Sequence, residues 1–314
     1  ARRVGAGVIM PANPRIQADL RPPITGGTIG DVGYSAILEA PFEVFGAPGA
    51  RVREAERYAD LSRAELALER NRARVGAWTA YVKSQVAEQR IEALRASAEI
   101  AKRIVNASTQ RADLGASGDI EQSLATSDAA QIDAQIVDTI RERDIHLMEL
   151  RDLLDFAADQ PVELTTPLRD PEPSVAVDAL IARALAARPE LGVTQRRIEL
   201  LDATEERLRK ETFPRVGVYA GVDAAPVSPI FGVVGLSVEL PFAQRNAGPR
   251  AVVRAARDGE TERLDLIRRR IAREVTATLA SYDARRAELE ALTTRALPTA
   301  QRTLELVETG WRSG

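Results

Sequence analysis

The chain repeats itself at a spacing of 200 residues, and a tandem duplication limits the possible folds more than any bulk property does. From residue 14 to residue 80 the two halves align without a gap. They share Pro14/Pro214, Arg15/Arg215, Glu39/Glu239, Pro41/Pro241 and Phe42/Phe242. Matches such as Ala55/Ala255, Arg57/Arg257 and Arg70/Arg270 count for little in so Ala- and Arg-rich a sequence. The Pro-Arg and Glu-x-Pro-Phe matches carry the inference. Each half predicts the same order of parts: strand, turn, strand, then a very long helix. This divides the chain into a first repeat over 1–157, a Pro-rich linker with shorter helices over 158–212, and a second repeat over 213–314.

The strands alternate with the same parity in both halves. Ile16, Ala18 and Leu20 fall on one face, with Arg15, Gln17, Asp19 and Arg21 on the other. In the second half Val216 and Val218 oppose Arg215, Tyr219 and Asp223. The returning strands place Leu38 against Glu39, and Val234, Leu236 and Val238 against Ser237 and Glu239. Strands of about 9–11 residues cross a bilayer when tilted. An aliphatic face paired with a charged one suits lipid outside and water inside. No further strands are predicted. Four strands with open edges cannot stand alone in hydrocarbon, because their free N–H and C=O groups would be unpaired. Closure therefore demands several chains: two give eight strands around a filled interior, and three give twelve around a lumen.

The first long helix is predicted from about Arg51 to Leu114, about 95 Å at the helical rise. Leu61, Leu68, Val75 and Val82 keep heptad spacing, and Ile91, Ala98, Val105 and Ala112 resume it in a shifted frame. Gly115-Ala116-Ser117-Gly118 breaks the helix, and Asp119 caps an antiparallel return to about Phe156. The second repeat starts a matching arm at Pro249, with a bend expected at Pro298. Shorter helices are expected near Ala176–Ala187 and Glu190–Lys210. The chain opens without an initiator Met and stops inside a helical pattern, which predicts a fragment at both ends.

Several segments resemble the TolC-type outer-membrane factor family, and within it the CzcC-like branch of heavy-metal cation exporters. They are Asn13-Pro14-Arg15 at the first strand, Glu39-Ala40-Pro41-Phe42-Glu43-Val44-Phe45-Gly46 before the first helix, and Leu240-Pro241-Phe242-Ala243-Gln244-Arg245-Asn246-Ala247-Gly248 before the second. Ala184-Leu185-Ala186-Ala187-Arg188-Pro189-Glu190-Leu191 and Phe213-Pro214 complete the series. The resemblance implies a membrane β-barrel joined to an α-helical barrel. A homotrimer would contribute four strands per chain to twelve, and its antiparallel coiled-coil helices would form a tunnel from the outer membrane into the periplasm. It implies a passive export duct, for divalent metal cations in this branch, served by a periplasmic adaptor (membrane fusion protein) and an inner-membrane pump of the RND type. The adaptor would meet the hairpin tip at Leu114, Gly115, Asp119 and Ile120. Gly118 stands where a Ser or Thr is common. Two other readings are a periplasmic adaptor, which would not repeat strand-strand-helix in tandem, and a coiled-coil scaffold, which leaves the strand faces unexplained.

Little else suggests chemistry. The net charge is −3 with both signs interspersed, which gives no basic footprint for nucleic acid. There is no Cys and one His, His146, in a helical stretch beside Leu147 and Met148, where packing is expected. No Gly-rich phosphate loop with its Lys is present, and neither cofactor, metal site nor enzyme activity is expected. Glu205-Glu206 reads as solvated charge. Asp19, Glu39, Asp223 and Glu239 are the acids that would favour cations in a pore.

Overall fold

In the computed structural model the duplication extends to the hydrogen-bond register. β1 (Arg15–Arg21) pairs antiparallel with β2 (Gly33–Phe42), setting Arg15 opposite Glu39. β3 (Arg215–Ala224) pairs with β4 (Phe231–Glu239), setting Arg215 opposite Glu239. Each pair is the other moved by one repeat. β2 and β3 join the two hairpins into a four-stranded sheet of order β1-β2-β3-β4, with Leu38 opposite Ala220. The structure describes residues 6–10, 13–22, 32–113, 119–157, 159–168, 171–172, 175–225, 229–240 and 245–312. β1 is shorter than the alternation predicts. Pro22 follows it, and a residue without an N–H cannot extend a ladder.

Helix α1 (Ala47–Asp113) is unbroken and passes from one compact unit into another. The first unit, residues 1–68 with 174–314, holds the sheet, the start of α1, α3 (Val177–Ala187), α4 (Pro189–Lys210) and α5 (Ala247–Ala291). It also holds a π turn (Leu292–Ala296) and α6 (Leu297–Arg312). α3 and α4 both pack on α5. Pro189 opens α4, and Arg188 before it is extended, as a residue preceding proline must be. Pro298 does not break the chain's last helix. A proline clashes with the carbonyl four residues earlier, and the π turn just before it widens the helix there. The hydroxyls of Thr293 and Thr294 donate to Leu289 and Glu290 carbonyls along that turn.

The second unit, residues 69–173, is an antiparallel pair made by the rest of α1 and α2 (Asp119–Leu154). The α1 side of its seam is built mostly from small residues, with Ala80, Ser84, Ala87, Ala98, Ala101 and Ser108 buried beside the larger Ile91. Small seam residues let helices approach closely. The heptad frame through Ile91 and Ala98 is the packed one. Val75, by contrast, is 54% exposed; Gly76 turns inward instead, where a Cβ would sit 3.1 Å from a Leu153 methyl. A strict heptad drifts on a straight helix, so the contact moves by one position. α2 ends at Asp155 in the left-handed region (φ 56°), and the Phe156 N–H reaches back to the Arg151 carbonyl, a C-terminal cap.

Candidate functional site: the two-faced sheet and its junctions with the helices

The sheet has two faces of opposite character. One carries Ile16, Ala18, Leu20, Tyr34, Leu38, Val218, Val222, Val234, Leu236 and Val238, all exposed in the single chain. Val216, half-buried, lies on the same face between Phe42 and Val238. Val234 and Ile16 are 80% and 74% exposed, far beyond what a packed face allows. The opposite face holds Arg15, Gln17, Asp19 and Arg21 of β1, exposed along their open edge, then Glu39, Arg215, Tyr219, Asp223 and Ser237, all half-buried, and exposed Glu239. Toward its middle this face is better covered than the apolar one, with Ser35 4% exposed, so the sheet curls round its polar side.

Polar residues on the inner face meet in cross-strand rows. Asp19, Ser35 and Asp223 are direct neighbours. The Ser35 hydroxyl donates to Asp19 (3.4 Å), as does the Gln17 amide (3.1 Å), and Arg21 lies 3.6 Å from Asp223. Further toward the helices on the same face, Ser237 donates to Glu39 at 2.6 Å, and Arg215 faces Glu239 at 3.6 Å. The Tyr219 ring lies over Gly235, where a Cβ would overlap it. An aromatic covering a strand glycine restores the packing that the glycine lacks.

Where strand passes into helix, a charge cluster appears that sequence reading did not single out. The Glu43 carboxylate is almost fully buried, paired with Arg51 and, at 3.3 Å, with Arg215. Arg51 also donates to the carbonyls of Ala6 (3.3 Å) and Val8 (2.9 Å), and the Glu43 N–H donates to Ile9 (3.0 Å). This ties residues 6–9 to the foot of the sheet. A signal for it exists in the alignment: Glu43 and Arg51 stand where the second repeat has Ala243 and Ala251, so the halves diverge there.

α4 is held on both sides by ion pairs. Arg53 and Arg57 of α1 reach Glu206 (2.6 Å) and Glu199 (3.0 Å), and Glu54 accepts from Arg207 (2.7 Å). From α5, Arg254 and Arg250 reach Glu205 (2.6 and 3.5 Å), and Arg257 reaches Asp202 (3.6 Å). The Arg254 hydrogen bond, with its charge and that of Arg250, holds the Glu205 carboxyl below the usual range. Glu205-Glu206 is therefore not merely solvated charge. The two acids point to different helices and join the two repeats through α4.

Leu114 and Gly115 lie outside the described residues, Asp119 begins α2, and Ile120 is 77% exposed. His146 is largely covered on α2, with Glu149 at 3.6 Å and Glu142 at 4.0 Å. Among the described residues no three His, Asp or Glu side chains are grouped to hold a metal ion. No helix there is long and apolar enough to cross a membrane.

Residues 16–155 match the family model described as outer membrane efflux protein. The cobalt-zinc-cadmium resistance protein CzcC of Cupriavidus metallidurans is 23% identical over 283 residues, covering 89% of this chain and 67% of that protein. The outer membrane protein VceC of Vibrio cholerae superposes with a TM-score of 0.76 at 16% identity, over 99% of this chain and 79% of its own. The CmeC outer membrane channel of Campylobacter jejuni does so with a TM-score of 0.61 at 14% identity, over 99% and 70%.

Proposed function

We propose, because residues 16–155 match the family model of outer membrane efflux proteins, that the chain is one subunit of an export duct in the outer membrane, closed by three copies. The observation that carries this reading is the two-faced sheet, whose outer strands β1 and β4 have no further strand partner among the described residues. An apolar face this exposed suits lipid, and lipid tolerates no open edge. Three copies give twelve strands around a water-filled lumen. Ile16, Ala18, Leu20, Val216, Val218, Val234, Leu236 and Val238 then meet lipid, while the row from Asp19 to Asp223 lines the pore.

Such a duct receives its cargo from an inner-membrane pump of the RND type through a periplasmic adaptor. The adaptor meets the tip of the α1–α2 hairpin near Asp119 and Ile120. CzcC is a cobalt-zinc-cadmium resistance protein, and similarity to it favours divalent cations as cargo. Carboxylates at Asp19, Glu39, Asp223 and Glu239 would attract cations weakly and release them fast, as a conduit requires. Selection belongs to the pump.

The test is to separate the membranes of cells expressing the protein by density and to wash them with high salt. The protein should stay with the outer membrane and leave only in detergent, as a threefold assembly by native mass measurement. Recovery in the salt wash, or as a monomer in mild detergent, would overturn the reading.

A further inference from the structure

β1 is short for the membrane it is proposed to cross, and apolar residues lie in the segment before it. A spanning strand takes about 9–11 residues, whereas β1 has 7. Pro22 blocks its growth at the far end. Near the other end, where α1 and α5 leave the sheet, Val8, Ile9 and Met10 are all exposed, Ile9 to 56%. Contiguous exposed apolar surface marks an interaction site. The backbone of this segment is nevertheless held inward. Arg51 donates to the Ala6 and Val8 carbonyls, and the Glu43 N–H donates to the Ile9 carbonyl. A Cβ on Gly7 would lie 3.5 Å from a Val52 methyl, so the chain runs close against α1 there. Arg51 in turn is fixed by the buried Glu43 carboxylate. Order here does not come from burying Val8, Ile9 or Met10.

We propose that Glu43 and Arg51 hold Val8-Ile9-Met10 as an interfacial anchor, whose side chains enter the headgroup boundary of the phospholipid layer around the foot of the sheet. The inference rests on the membrane reading above and adds a second lipid contact outside the strands. Two observations select lipid as the occupant. The first is continuity. Val44 and Leu240, just past the ends of β2 and β4, are exposed at the same end of the sheet, so apolar surface continues beyond the strands. The second is charge beside aromatic rings. Phe45 and Phe213 stack with their ring centres 6.2 Å apart, and the Lys210 ammonium lies 5.2 Å from the Phe213 ring. Rings and cations next to aliphatic side chains suit the boundary where acyl chains meet phosphate. A lysine placed there keeps its stem in apolar surroundings and its ammonium at the phosphates.

The chain has no Cys, so a fluorophore on Ile9→Cys reports from one place. The full protein would be placed in vesicles of phosphatidylethanolamine and phosphatidylglycerol. Quenchers would be attached near the lipid headgroup, attached deep in the acyl chain, or dissolved in water. Labels at Leu236→Cys and Gln17→Cys mark the apolar and polar faces of the sheet. The proposal expects the Ile9 label to lose fluorescence to the headgroup quencher. Leu236 should answer to the deep quencher, and Gln17 to the aqueous one. With Arg51→Gln added, the Ile9 label should pass to the aqueous quencher while Leu236 keeps its response. An Ile9 label that answers only to the aqueous quencher, or to none, would overturn the anchor; a lipid response at Leu236 would leave the barrel standing. An Ile9 response unchanged by Arg51→Gln would overturn the holding role given to Arg51 and Glu43. If Leu236 also answers only from water, the membrane reading fails and the anchor with it.

Discussion

The two repeats enter their long helices through the same backbone shape and secure it with different chemistry. Gly46 (φ 85°) and Asn246 (φ 50°), one repeat apart, both adopt the left-handed conformation. Glycine does so freely and asparagine at small cost. Behind Gly46 the junction closes on a buried carboxylate, Glu43, gripped by Arg51 and Arg215. Behind Asn246 the side-chain amide donates to the Leu208 carbonyl (2.9 Å), and exposed or half-buried pairs tie α5 to Glu205. Duplication preserved the path of the chain, and the anchoring side chains then diverged. Between the two repeats the backbone conformation is shared while the anchoring is not, and the first junction is the one that closes on a buried charge.

Glu43→Ala should break that comparison most sharply. It leaves the Arg51 guanidinium without its carboxylate and Arg215 with Glu239 alone, at 3.6 Å. Removing one partner of a buried pair costs about 3–5 kcal/mol, and the partial exposure of Arg215 puts this case toward the lower figure. Thermal unfolding of the detergent-solubilised assembly should fall well below that of the parent protein, and Glu43→Gln should recover part of the loss. The second junction should suffer less. Asn246→Ala loses the bond to Leu208 and leaves a plain Cβ in the left-handed region, at about 1–2 kcal/mol, whereas Asn246→Gly loses the same bond but relieves the backbone and should cost less in the same assay. An Asn246→Ala variant as unstable as Glu43→Ala would mean that the two junctions are equivalent.

The smallest effect concerns pH. The Arg254 hydrogen bond lowers the Glu205 pKa from 4.5. A carboxylate depressed on folding contributes stability that is present above its unfolded value and lost as pH falls through its folded one. The stability difference between the parent protein and Glu205→Gln should therefore be steady at neutral pH and vanish in acid below 4.5. A difference that persists unchanged in strong acid would show that the α4–α5 attachment does not depend on this charge.

Much of the architecture can be read from local pattern, and the rest depends on which distant residues meet. Strand parity, the two hairpins and the start of α4, expected at Glu190 and found at Pro189, follow from period-two alternation and from breakers, which act over a few residues. The join of Leu38 to Ala220 does not. Nothing near either residue announces a partner so far along the chain. Glu43 looked like one acid in a Glu-rich segment, because burial is a property of the folded junction. Val75 satisfied the heptad, yet Gly76 packs against Leu153, since the frame depends on the helix opposite. The two acids at Glu205-Glu206 needed the positions of α1 and α5 before their roles could be separated.

A charge placed on each face of the sheet tests directly whether one face meets lipid and the other meets water. Arg at the bilayer midplane on a lipid face costs about 2–4 kcal/mol and almost nothing where water is present. Leu236, 72% exposed on the apolar face, and Gln17, exposed on the polar face, are the positions to compare. The measurement is the yield of heat-stable assembly in the outer membrane. Leu236→Arg should reduce that yield sharply while Gln17→Arg assembles like the parent protein. Equal yields from the two variants would contradict the membrane assignment of this sheet.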